Sequence, residues 1–144
     1  MAMLRLSGGG PRPDPAPRYG AYPQPPMGAG HWSAEYDPHP LAVREARAQV
    51  GRQLELWGLA DRGDLAHTAE LLVSELTTNA VLQSASRFRL TLTAAHGTLR
   101  CEVEDGGEYA PQGFLVDALA RRWGCRPSGA GKTVWFELGT CECD

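Results

Sequence analysis

The stretch Glu70-Leu-Leu-Val-Ser-Glu-Leu-Thr-Thr-Asn-Ala80 repeats apolar residues at a helical period, and the period reaches back to Leu65. Leu65, Ala69, Leu72, Val73, Leu76 and Ala80 form one stripe. The pattern predicts a helix that starts near Gly63-Asp64, with Asp64 as N-cap, and ends around Gln83-Ser84. Glu75 and Asn79 stand four residues apart, hence one turn apart on one face, beside the stripe. A carboxylate and a carboxamide at a core edge offer oxygens for a hydrated divalent cation and the phosphates it would bridge, because magnesium takes oxygen ligands and keeps its waters. Spacing alone favours a solvated helix face for such a pair. The segments around it change that weighting.

Downstream, Phe88, Leu90, Leu92 and Ala94 alternate with polar residues, and so do Leu99, Cys101 and Val103. Ala95-His96-Gly97-Thr98 reads as the turn joining two strands. Such alternation describes a sheet with one covered and one wet face. Asp105-Gly106-Gly107 breaks the second strand, a helix is expected from Phe114 to Trp123, and a last hairpin turns at Ser128-Gly-Ala-Gly131 into Val134, Phe136 and Leu138. Upstream, Trp32, Ala34 and Tyr36 suit a short edge strand closed by Asp37-Pro38-His39-Pro40, and Leu41 to Trp57 suits a helix stopped by Gly58. The expected class is α+β: a two-layer α/β sandwich, its sheet mostly antiparallel, with helices on one face.

Bulk properties narrow the function. The chain has 144 residues, 42% of them hydrophobic, and a net charge of −3. That is one domain's length with material for a core, and no basic excess marks a nucleic-acid surface. No apolar run approaches a membrane span, and the N-terminus lacks a signal peptide's apolar core, so a cytoplasmic protein is expected. Residues 1–30 hold six glycines and seven prolines without apolar period, which reads as a disordered arm. Residues 31–138 then form the domain and 139–144 a short tail. Cys141 and Cys143 in that tail lack a second pair at metal-ligand spacing, and the four histidines are scattered.

Gly129-Ala-Gly-Lys-Thr133 imitates the end of a phosphate-binding loop, but Arg126 stands where that motif needs its first glycine. The segment also leads into a strand, whereas such a loop must open a helix to aim its amides at the anion.

Taken in order, these parts resemble a known group. The phrases Leu71-Leu-Val-Ser-Glu-Leu-Thr-Thr-Asn-Ala-Val81 and Leu115-Val-Asp-Ala-Leu-Ala-Arg-Arg-Trp-Gly124, with Asp105-x-Gly107 between them and Gly131-Lys-Thr-Val-Trp-Phe-Glu-Leu138 after, are similar to actinobacterial ATP-binding proteins of the anti-sigma-factor serine/threonine kinase type. These have the Bergerat fold of the histidine kinase-like ATPases. The resemblance implies ATP and Mg2+ as cofactors, with Asn79 holding the metal and Glu75 acting as general base toward a protein serine. It implies that Asp105 accepts from the adenine amine, that Gly107 makes room for the base, that Gly113 remains from the phosphate-binding lid, and that Thr133 completes the adenine pocket. The implied partners are a small anti-sigma-factor antagonist, a sigma factor, or both, and a homodimer stays open. Two departures stand out. The helix continues Asn79-Ala-Val-Leu-Gln83, without the basic or histidine residue usual in the group, and the lid is cut to Gly107-Glu-Tyr-Ala-Pro-Gln-Gly113, in which Pro111 offers no amide. Two functions are therefore expected to compete: an ATP-dependent protein kinase, and a weakly catalytic or inactive interaction module on the same fold.

Overall fold

The computed structural model describes residues 30–84, 86–107 and 114–140. The expected arm and the tail cysteines lie outside them, as do the lid residues 108–113. Strand β1 (Gly30–Tyr36) is followed by helices α1 (Pro40–Leu56) and α2 (Leu65–Gln83), then by strands β2 (Phe88–Ala95) and β3 (Thr98–Asp105). A short helix α3 (Phe114–Leu119) leads into the closing hairpin, β4 (Arg122–Ser128) and β5 (Gly131–Gly139). The five strands form one sheet in the order β1-β2-β3-β5-β4, and each neighbouring pair is antiparallel. The result is the expected α+β two-layer sandwich. Among the described residues, no helix is long and apolar enough to cross a membrane.

Period-two alternation builds the covered face. Phe88, Leu90, Leu92, Leu99, Cys101, Val103, Val134 and Phe136 all point into the helix layer and are buried. The helices answer with Ala42, Ala46, Val50 and Leu54 from α1, and with Leu65, Ala69, Leu72, Val73, Leu76 and Ala80 from α2. Full burial of a Leu or Phe side chain contributes roughly 1.5–3 kcal/mol, so this interface carries most of the fold's stability. Thr77 also falls inside, where its hydroxyl donates to the Val73 carbonyl at 2.7 Å and is thereby satisfied. The open face is polar. There the Arg100 guanidinium lies 4.1 Å from the centre of the Trp135 ring and donates to Glu137 at 2.7 Å.

Local signals behave mostly as expected. The β2–β3 turn has both central residues in the left-handed region, His96 at φ 54° and Gly97 at 76°, the tight hairpin geometry that matches strand twist. Helix α1 opens on Pro40, and its N-cap His39 accepts from the Leu41 amide at 3.1 Å. Asp64 occupies the N-cap position of α2, but its side chain makes no capping bond. One expectation is corrected. The helix after Phe114 ends at Leu119, and Arg122 and Trp123 belong to β4. Sheet pairing wins there: the Arg121 amide donates to the Glu137 carbonyl at 2.8 Å, and Trp123 sits opposite Phe136 in the ladder.

Candidate functional site

The site is organised by the far end of β3. Asp105 continues the inward phase of Leu99, Cys101 and Val103, so the strand delivers a carboxylate to the helix side of the sheet, where it is buried. A buried carboxylate needs partners. The Gly107 amide donates to its Oδ1 at 2.7 Å. Lys132 Nζ donates to Oδ1 at 2.9 Å and to Oδ2 at 3.2 Å. Lys132 is the cross-strand neighbour of Asp105 and shares the inward phase of Val134 and Phe136. Only 4% of its side chain is exposed, and 2% of that of Asp105. It is the only lysine in the sequence, all other basic side chains besides histidine being arginine.

Glycine lets these groups close up. A Cβ on Gly131 would stand 1.9 Å from the Asp105 carbonyl oxygen, so only glycine lets the two backbones lie this close. At Gly107 a Cβ would stand 3.1 Å from the Gln83 carbonyl oxygen and 3.2 Å from both Asp105 Oδ1 and Lys132 Nζ. The end of β3 therefore docks on the last turn of α2. Asn79 and Glu75 lie four and eight residues before Gln83 on that helix, both half-buried. With a rise of 1.5 Å per residue they stand about 6 Å and about 12 Å back along the axis. Asn79 and Glu75 thus stand one and two turns back along α2 from the turn on which the end of β3 docks.

Thr133 is buried, but on the alternate phase from Lys132, together with Trp135 and Glu137. It pairs across the sheet with Glu104 and Arg126. The side chain that meets Asp105 from β5 is Lys132, which the sequence reading passed over with the rejected phosphate-loop motif. Strand alternation was the signal that points to it: Lys132 is in step with Val134, Phe136 and Leu138. Cys125 of β4 lies nearby. Burial pushes its thiol pKa up, while the Lys132 charge lowers it and the Asp105 charge raises it. Gly113 lies outside the described residues.

The donors suit the implied groups. Oxygens from Asn79 and Glu75 are what a hydrated magnesium accepts, whereas Asp105 already takes three hydrogen bonds from Lys132 and Gly107, so an added donor meets an occupied carboxylate. Among the described residues no three His, Cys, Asp or Glu side chains gather into a metal cluster. A cleft of about 420 Å³ opens at the opposite end of α2, lined by Arg62, Leu65, Thr68 and Arg121 among others. It is separate from these residues.

No protein-family model matches the chain, and no curated protein does. Among solved structures, it is similar to the crystal structure of the RsbU and RsbW domains of Rv1364c from Mycobacterium tuberculosis, with a TM-score of 0.56 and 19% sequence identity. The match covers 76% of this chain and 32% of that one, so the chain spans about a third of the protein it matches. At that identity the likeness establishes a shared fold.

Proposed function

We propose that this chain is a nucleotide-binding regulatory protein of the anti-sigma-factor kinase type, working through protein partners. The observation that supports this reading is the docking of Gly107 on Gln83, which brings the end of β3 to the last turn of α2, the helix that carries Asn79 and Glu75. Asp105 would hold the exocyclic amine of adenine, Gly107 would leave the base room at the backbone, and Asn79 would ligate magnesium. Bound ATP would supply a transferable γ-phosphate. Glu75 would orient a serine hydroxyl and take its proton, the modest role a protein has when phosphoryl transfer depends mainly on positioning. The fold likeness to an RsbW-containing chain supports partners from an anti-sigma system, a small antagonist protein or a sigma factor.

A second reading rests on a different observation. Asp105 is already satisfied inside the protein by Lys132 and Gly107. The fold therefore does not need a nucleotide to pair this carboxylate, which favours an interaction module with little or no catalysis. Calorimetric titration with ATP and with ADP, each with and without magnesium, tests the first reading. Magnesium-dependent binding is the expected result, and no heat at protein concentrations up to the millimolar range would leave the second.

A further inference from the structure

The Asp105–Lys132 pair has a consequence for any base that uses Asp105. Lysine is almost never fully buried unless paired, and among the described residues its carboxylate partner here is Asp105, the group assigned to the base. The Lys132–Asp105 contact joins two ionised groups, whereas an exocyclic amine brings no charge of its own to the same carboxylate, so the ammonium is the stronger partner. We propose that Lys132 is the residue that sets nucleotide affinity, because in the free protein its ammonium takes the place of the base amine on Asp105 and must be displaced when a nucleotide enters. This inference rests on the nucleotide-binding reading and names the residue that governs it.

The geometry limits the ways to share. Lys132 contacts both carboxylate oxygens, and Gly107 takes a further lone pair of Oδ1. The space over Gly107 is bounded by the Gln83 carbonyl, Oδ1 and Nζ, each within 3.2 Å of where a Cβ would stand. A ring laid against that backbone meets the lysine head. Displacement has a cost, since an ammonium leaving a buried carboxylate must find water or another partner. The exchange is thus selective: only a ligand whose phosphates and metal add enough binding elsewhere can drive it, and free adenine or adenosine binds poorly.

The test is titration of wild type and Lys132→Thr with ADP and magnesium. Binding at least about tenfold tighter in Lys132→Thr is expected, the scale on which one charge-assisted hydrogen bond changes a binding constant. Equal or weaker binding by a folded Lys132→Thr, with wild type binding, overturns the displacement model and leaves the nucleotide reading standing. Binding by neither protein overturns both. Should Lys132→Thr not fold, the wild-type protein decides alone, because it carries a single ε-amine. Its acylation by acetic anhydride, read by peptide mass spectrometry, should be slow without nucleotide and several-fold faster at saturating magnesium-ADP. An unchanged or slower rate would show the ammonium staying on Asp105 beneath the base.

Discussion

Asp105 pairs with Lys132 inside the fold and is also the residue proposed to hold the base, and its substitutions separate the two roles. Asp105→Ala leaves the Lys132 ammonium buried without its carboxylate, a change that costs about 3–5 kcal/mol when one partner of a buried pair is removed. Urea unfolding followed by circular dichroism should show that loss. Asp105→Asn keeps the shape and one acceptor oxygen but also leaves the ammonium without its countercharge, so it should lose stability too, by less than Asp105→Ala. Nucleotide affinity should still fall by about ten- to a hundredfold, because a hydrogen bond to a charged group contributes roughly 1.5–3 kcal/mol. Undiminished affinity in Asp105→Asn would move the base elsewhere. Gly131→Ala is a separate check on how closely the strands approach here. Its methyl would stand 1.9 Å from the Asp105 carbonyl oxygen, a backbone atom with no rotamer to escape into. We expect a loss of about 1–3 kcal/mol or more, the range for overpacked sites, seen as a lowered midpoint in the same urea experiment. Asp105 was legible in the sequence because it ends an alternating strand in Asp-x-Gly. Lys132 was not, since a lysine beside glycines reads as turn chemistry until the phase of the following strand is counted backward.

At the scale of elements, α2 is the part on which both packing and site depend. Its buried stripe, Leu65, Ala69, Leu72, Val73, Leu76 and Ala80, is the one its periodicity marks, and Thr77 joins it by bonding back to Val73. Leu72→Ala should destabilise the domain by about 2–5 kcal/mol, the cost of deleting a fully buried leucine and leaving a cavity. A melt monitored by circular dichroism measures it, and a change under 1 kcal/mol would mean that α2 is not seated on the sheet. The strands were legible for the same reason, because one wet and one covered face write themselves as strict alternation. The α3–β4 segment was misread. Leu115, Ala118 and Leu119 suggest a helix running on to Trp123, yet the chain leaves it after Leu119. Propensity is a weak prior there against the hydrogen bonds and side-chain burial that pairing with β5 supplies. The hairpin turn at Ser128–Gly131 marks a partner strand for β5, but nothing local in the sequence states that the pairing reaches back to Arg122.

For the whole molecule, the question is whether the site beside α2 transfers phosphate or only binds. The sequence between Gly107 and Phe114 has six residues, one of them Pro111, and so at most five backbone amides to offer a γ-phosphate. Binding should then come mainly from the base and from magnesium on Asn79. ATP and ADP should bind within about 1 kcal/mol of each other, the scale of one net hydrogen bond. Transfer to a serine of a candidate antagonist protein should be slow, since a loosely placed phosphoryl group loses rate directly. Glu75 lies about 12 Å along α2 from Gln83, on which Gly107 docks, by the rise of the helix. Its effect should therefore be confined to chemistry. Glu75→Gln should abolish whatever transfer exists and leave nucleotide affinity nearly unchanged. Radiolabelled phosphate transfer, run beside calorimetric titration of the same preparations, separates the outcomes. Fast transfer with strong preference for ATP would show that six residues make a sufficient lid and would end the interaction-module reading. Tight nucleotide binding with no transfer in either protein would instead assign the fold to partner exchange, with Glu75 a solvated helix residue and Asp105, released from Lys132, the sensor of the bound base.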